Sequence, residues 1–116
     1  MHELSVAQNI IEIVELNVPH DELCNVRQVA LKVGEFSGVV VDSLKFSYEI
    51  ITGDTDLRNS ELTAEVIPFS IKCADCGSIT TNIYGLRECE NCLSTDTEVL
   101  GGTELNISEI ILKENT

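Results

Sequence analysis

Two short cysteine pairs, Cys73-Ala74-Asp75-Cys76 and Cys89-Glu90-Asn91-Cys92, decide much of what this chain can become. Two residues between the cysteines of a pair let both sulfurs turn toward one point in a tight knuckle. Twelve residues separate the pairs, enough for an out-and-back hairpin that brings the knuckles together. Four thiolates then complete the shell of a zinc ion and leave no open position for water or substrate, the pattern of a structural site. A module of about thirty residues with so few apolar side chains cannot offset its chain entropy by burial. Zinc coordination supplies the missing stability, on the order of 10 kcal/mol.

The remaining composition narrows the setting. A chain of 116 residues is one domain, or one domain with a small appendage. It is 43% hydrophobic but has two Tyr, three Phe and no Trp, so its core is expected to be aliphatic. No apolar run is long enough to span a bilayer, and the N-terminus lacks the basic-then-apolar order of a signal peptide. The expected compartment is the cytoplasm, where thiols stay reduced and CxxC pairs read as metal ligands. The fifth cysteine, Cys24, is expected to be an unpaired thiol with the burial habit of free cysteine. Twenty acidic residues against seven basic ones give a net charge of −13. Nucleic-acid binding relies on Lys and Arg displacing phosphate counterions, so the commonest role of a zinc ribbon is disfavoured. Cations, basic protein surfaces or apolar patches are the better partners. The acids also serve solubility alone, which is the plainer account of them.

Along the chain, Leu4, Ala7, Ile11, Val14 and Val18 recur at helical spacing, with Ile10 and Ile13 widening the stripe. This predicts a first helix packed against a sheet. Pro19 sits in a break over 17–24. Val29, Leu31 and Val33 alternate toward Gly34 as a strand. Val41, Leu44, Tyr48 and Ile51 predict a second helix, capped by Asp42 or Ser43 and ended at Gly53. A strand over 61–69 follows, with Leu62, Ala64 and Val66 on one face. The cysteine module occupies 70–102, and Leu105, Ile107 and Ile110 to Leu112 read as a last strand, too hydrophobic to hang free. Returned to the first sheet, that strand makes the fold α+β: two helices packed on a three-stranded sheet, with an inserted zinc-ribbon module. The expected division is residues 1–69 with 103–116 as one domain and 70–102 as the insertion.

The opening Met1-His2-Glu3 places an imidazole beside a free amine and two backbone amides. Such a set supplies several nitrogens in one plane, the square-planar preference of Ni(II) and Cu(II). His2 is bulky enough to protect Met1 from aminopeptidase removal. An exposed His without a role is the competing account, since a second-position His also arises by chance. No nucleophile–base pair, Gly-rich phosphate loop or open metal site appears, so enzymatic activity is not expected. Asp54 and Asp56 beside Thr55 read as a solvated turn.

The opening Met-His-Glu-Leu-Ser before an amphipathic helix, Val33-Gly34-Glu35 closing a strand, and the two CxxC pairs in order closely resemble the HypA/HybF family. Gly101-Gly102-Thr103-Glu104-Leu105 extends the likeness over essentially the whole chain. These are nickel metallochaperones for [NiFe]-hydrogenase maturation and, in some organisms, for urease. The resemblance implies a nickel domain of helices on a three-stranded sheet and a zinc-ribbon insertion. It places Ni(II), as transferred cargo, on the His2 imidazole and main-chain nitrogens of the Met1 to Glu3 segment. Structural zinc falls on Cys73, Cys76, Cys89 and Cys92. The implied partners are a HypB-type GTPase and a hydrogenase large-subunit precursor, with no nucleic acid and no membrane.

The second knuckle departs from the family, with Glu90 in place of Pro and Leu93 in place of Gly, which predicts a less tightly turned knuckle. Rubredoxin-type iron sites also use two CxxC pairs, but with Pro and Gly at those places, so ligand type and context favour zinc. The segment before the strand at 61–69 has Ser60-Glu61-Leu62 where the family has Gly-Ala, and His20 matches no family ligand. Two rival readings are a zinc-ribbon protein–protein adaptor without nickel binding and a ribbon of the transcription apparatus.

Overall fold

The structure, a computed structural model, describes residues 3–113. Its elements are α1 (Glu3–Asn17), a 3-10 helix η1 (His20–Asn25), β1 (Val26–Gly34), α2 (Val41–Thr52), β2 (Glu61–Ile67), β3 (Ser70–Cys73), β4 (Ile79–Thr81), β5 (Thr97–Gly101) and β6 (Leu105–Leu112). They form two three-stranded sheets, ordered β2-β1-β6 and β4-β3-β5, so the last strand does rejoin the first sheet. The chain divides into two compact units. The first holds residues up to Leu31, Val39–Glu65 and those from Asn106 onward; the second holds Lys32–Gly38 and Val66–Leu105.

In the first unit, α1 buries Val6, Ala7, Ile10, Ile11 and Val14 and packs against α2. The buried face is rotated from the one read in sequence: Leu4 is 50% and Ile13 45% exposed. The buried residues centre on Ala7 and Val14, so Leu4 and Ile13 fall at the two margins of the stripe. The side-chain amide of Asn17 donates to the Ile13 carbonyl (2.7 Å), satisfying one of the acceptors a helix end leaves open. The break expected around Pro19 is instead a 3-10 turn that sinks Leu23 into the core. Val26, Val29 and Leu31 of the central strand are buried, while edge strand β6 has no fully buried residue.

Helix α2 starts after Val40, which has extended backbone and makes no side-chain capping bond. Asp42 and Ser43 are therefore first-turn residues and not the cap. An acid there still suits the positive helix end. The chain beyond α2 is pinned by hydroxyls. Thr52 Oγ1 donates to the Tyr48 carbonyl, and Thr55 Oγ1 donates to that of Thr52. Ser60 Oγ donates to Leu57 O (2.5 Å), so its one proton is used and the buried Tyr48 hydroxyl is the donor across the 2.6 Å contact to Ser60 Oγ. Burial raises the Tyr48 pKa, against a smaller lowering from Ser60, and keeps the hydroxyl a donor. Asp54 and Asp56 are exposed in this turn. Val66, read on one face of β2 with Leu62, is 55% exposed, whereas Leu62 is buried.

The second unit is knitted by backbone around two glycines. Gly34 N donates to Glu104 O, Phe36 N to Gly102 O (2.7 Å) and Glu35 N to Ile67 O (2.8 Å). A Cβ on Gly34 would overlap the backbone of Gly102 and Thr103, and one on Gly102, at φ +104°, would overlap the backbone of Phe69. Only chains without side chains can cross this closely. Glu35 Oε1 accepts from Phe69 N (3.4 Å) and Glu104 Oε1 from Gly102 N (2.6 Å), while the Phe36 and Phe69 rings meet edge to face at 5.3 Å. Gly34→Ala is expected to cost at least about 3 kcal/mol, the upper range for forced overpacking, because backbone must move. Urea unfolding of zinc-loaded protein followed by circular dichroism reads it.

Candidate metal centre

Strand β3 is central in its sheet, and its alternation sends Ile71 and Cys73 inward, each 1% exposed. It pairs antiparallel with β4 (Ile71 opposite Thr80) and with β5 (Ile71 opposite Val99, Cys73 opposite Thr97). The strand ends at Cys73, where the first knuckle begins. There Gly77 N donates to Cys73 O (3.0 Å) and Cys73 N to Ser78 O (2.9 Å). The second knuckle repeats the pattern sixteen residues later. Leu93 N donates to Cys89 O (2.9 Å) and Cys89 N to Ser94 O (2.8 Å). Gly77 and Leu93 occupy the same place in the two turns, with φ of 76° and 62°.

The second knuckle is thus turned as tightly as the first, and the looser geometry expected from its missing glycine is not found. Convergence of both sulfurs demands the left-handed residue, and Leu93 adopts it at a cost of roughly 1–2 kcal/mol.

The four cysteine sulfurs lie within 4.8 Å of one another. Across the knuckles, Cys73 Sγ is 3.5 Å from Cys92 Sγ and Cys76 Sγ is 3.6 Å from Cys89 Sγ. A tetrahedral shell with Zn–S of about 2.3 Å separates its sulfurs by about 3.8 Å. The donor set and its spacing therefore fit a structural zinc ion, which would be held by Cys73, Cys76, Cys89 and Cys92 with no position open. One cysteine of each pair is buried, Cys73 and Cys89, and one exposed, Cys76 and Cys92.

Polar ties between knuckles hold the site and were not singled out in the sequence. Asn91 Nδ2 donates to Cys76 Sγ (3.7 Å) and to Ser78 Oγ (3.4 Å). Ser94 Oγ donates to the Asp75 carboxylate (2.5 Å), and Ala74 N to Asp96 O (2.9 Å). A signal for them existed: the knuckles read Cys-Ala-Asp-Cys-Gly-Ser and Cys-Glu-Asn-Cys-Leu-Ser, an internal repeat that keeps the serine two residues past the second cysteine. The Ser78 hydroxyl and backbone N–H, then the Asn91 amide, bring the Cys76 thiol down to about 6. At Cys92 the Ser94 N–H acts in the same direction. The adjacent Cys73 sulfur, loss of water, and the Cys76 and Cys89 sulfurs outweigh it and push that thiol up to about 12. Four sulfurs this close do not all ionise without a cation among them, so metal uptake releases protons.

Among the described residues, this is the one cluster of three or more His, Cys, Asp or Glu with metal-ligand spacing. His20 and Cys24 do not join it: His20 is exposed at the start of η1. Cys24 is exposed rather than buried, its sulfur 3.9 Å from the Asp21 carbonyl in the same turn. The nickel expectation falls on Met1 and His2, which lie outside the described residues; Glu3 is the first residue of α1. No helix among the described residues is long and apolar enough to cross a membrane.

A family model described as hydrogenase/urease nickel incorporation, metallochaperone, HypA matches residues 1–112. This chain belongs to the HypA family. HypA hydrogenase maturation factors from Desulfatibacillum aliphaticivorans and Desulfosudis oleivorans are each 36% identical to it. The first match covers 95% of this chain and 85% of the relative, the second 98% and 100%. The solution structure of the Ni metallochaperone HypA from Helicobacter pylori superposes with a TM-score of 0.68 at 20% identity, covering 99% of this chain and all of that one. At that identity the likeness speaks for the fold: a HypA architecture with a four-cysteine ribbon.

Two outcomes follow from the HypA ribbon's geometry. Cys89→Ser is expected to lose zinc and melt the second unit while the helices persist; metal quantitation with circular dichroism checks it. Leu93→Gly relieves the left-handed strain and is expected to raise stability by up to about 1 kcal/mol, after the entropy cost of glycine, with zinc content unchanged. Thermal unfolding of the loaded protein reads that change.

Proposed function

We propose that the chain is a nickel metallochaperone that takes up Ni(II) at its N-terminus and delivers it during [NiFe]-hydrogenase maturation. The observation that carries this reading is the whole-length match to the HypA model together with 36% identity to hydrogenase maturation factors. Met1-His2-Glu3 at the start of the sequence supplies the chemistry: an amine, an imidazole and amide nitrogens, a set suited to a square-planar ion. Zinc on Cys73, Cys76, Cys89 and Cys92 is the resident metal of the 70–102 segment, and nickel is cargo bound by the part comprising 1–69 and 103–116.

The work is transfer and not turnover. A closed four-thiolate shell retains its ion, whereas a terminal nitrogen clasp releases its ion by exchanging ligands with an acceptor. A HypB-type GTPase and a hydrogenase large-subunit precursor are the proposed partners, and urease a second recipient. The net charge of −13 suits basic docking surfaces.

His2→Ala, made with the native amino terminus, is expected to abolish nickel binding while zinc content and circular dichroism stay as in the parent. Isothermal titration with Ni(II) reads the loss. Imidazole and amine bind only when neutral, and both shed their protons between roughly pH 6 and 8. Nickel affinity is therefore expected to climb through that window and to collapse below it. A variant that keeps parental nickel affinity moves the cargo site elsewhere, and absent binding by the parent leaves a zinc-ribbon adaptor.

A further inference from the structure

The second unit leaves several large apolar side chains exposed. Ile79, Ile83, Tyr84, Leu86 and Leu93 are between 56% and 75% exposed. Three of them, Tyr84, Leu86 and Leu93, line a single groove of about 340 Å³, with Glu88 and Glu90 among its walls. The volume lies at the small end for ligand sites, room for one or two side chains rather than a cofactor.

Two features mark this groove as built. The loop that presents Tyr84 and Leu86 is fixed by Asn82, whose Oδ1 accepts from Tyr84 N (3.1 Å) and Leu86 N (2.9 Å) and whose Nδ2 donates to Leu86 O (2.8 Å). Gly85, at φ +70°, backs this loop onto the Phe36 ring. The loop is ordered before anything binds, which lowers the cost of association. The second feature is Leu93. It holds a left-handed conformation (φ 62°) that Gly77 takes without strain in the sister knuckle, yet its side chain is 68% exposed and serves no core. Strain retained by an outward apolar residue points to a use for that side chain.

Charge selects the occupant. The unit has three basic against seven acidic residues, a net of −4, and a divalent ion among four thiolates leaves its centre negative as well. Glu88 and Glu90 flank the zinc ligand Cys89 and line the groove beside its apolar residues. We propose that this groove is a docking site for a flexible segment of a partner protein, one that inserts an apolar side chain and sets adjacent Lys or Arg against Glu88 and Glu90. The proposal stands apart from nickel binding, because nothing in the groove involves the N-terminus.

The test uses the zinc-loaded full chain without nickel, isotopically labelled, titrated with a short synthetic Leu-Lys peptide. Leu-Glu and Ser-Lys peptides are the controls. Amide shifts confined to the 82–93 segment are expected with Leu-Lys alone. Leu93→Gly, which keeps the knuckle, and Tyr84→Ala, which keeps the backbone bonds of Asn82, are each expected to weaken the peptide about tenfold or more with zinc content unchanged. Glu88→Gln with Glu90→Gln is expected to weaken it similarly and to flatten its salt dependence. Equal binding of the Leu-Glu peptide, or undiminished binding by Leu93→Gly, overturns the proposal. Concentration-dependent self-association that Leu93→Gly abolishes assigns the groove to a second copy and overturns it too. Loss of nickel binding in His2→Ala changes none of these readings.

Discussion

Convergence of four sulfurs is what allows the second unit to exist. Its fully buried apolar side chains are few: Val33, Phe69 and Ile71, beside Cys73 and Cys89 themselves. Burial on this scale does not offset the entropy of ordering the unit. Hydrogen bonds add modestly, since each replaces one to water. The metal contribution, on the order of 10 kcal/mol, therefore weighs more here than any hydrophobic cluster. It also explains why the knuckles tolerate Leu93 at a left-handed position. When the closing bond is this strong, a strained residue in the turn is affordable.

What zinc does at one end, glycine does at the other. Gly34 and Gly102 cross with no room for a side chain, and Glu35 and Glu104 fold back to accept from the Phe69 and Gly102 amides. The motifs Val33-Gly34-Glu35 and Gly101-Gly102-Thr103-Glu104 are two halves of one crossing. Each glycine removes a Cβ and each acid satisfies a backbone donor that close packing would otherwise strand. Two motifs far apart in sequence are thus tied to one local requirement, in which family likeness and steric necessity have the same content.

Much of this was legible in the chain, and the misses have causes. The strand at Val29, Leu31 and Val33, the helix from Val41, the return of the last strand and the four-cysteine set follow from periodicity or spacing, which are local. Which side of α1 faces inward is not local. Leu4 and Ile13 sit at the margins of the stripe, and Val6, not read as part of it, is buried in their stead. Helix α2 begins earlier than capping propensity suggests, with the extended Val40 at its cap. Capping propensity yields to such geometry. At Leu93 propensity argued for a relaxed turn and was overruled by coordination. Asn91, Ser78 and Asp75 were missed because the knuckle repeat marks equivalent positions, while which of them meet is decided only by the two turns in place.

The ribbon and the proposed nickel site place opposite demands on their ligands. Sulfur closes its shell completely and draws its ligands from two rigid turns, each braced by the other through Asn91 and Ser94. Leaving such a site requires several bonds to break together, so zinc is retained. A carrier needs the opposite: borderline nitrogen donors, few enough that an acceptor can replace them singly, and titratable near neutrality so that affinity is moderate. In the proposed site, the donors of Met1-His2-Glu3 differ chemically from the thiolates and lie far from them in sequence. Thiolates left free of zinc would compete for Ni(II), so full occupancy of the ribbon would protect the selectivity of the proposed cargo site. The structural ion would in this sense also guard against misplacement of the proposed cargo.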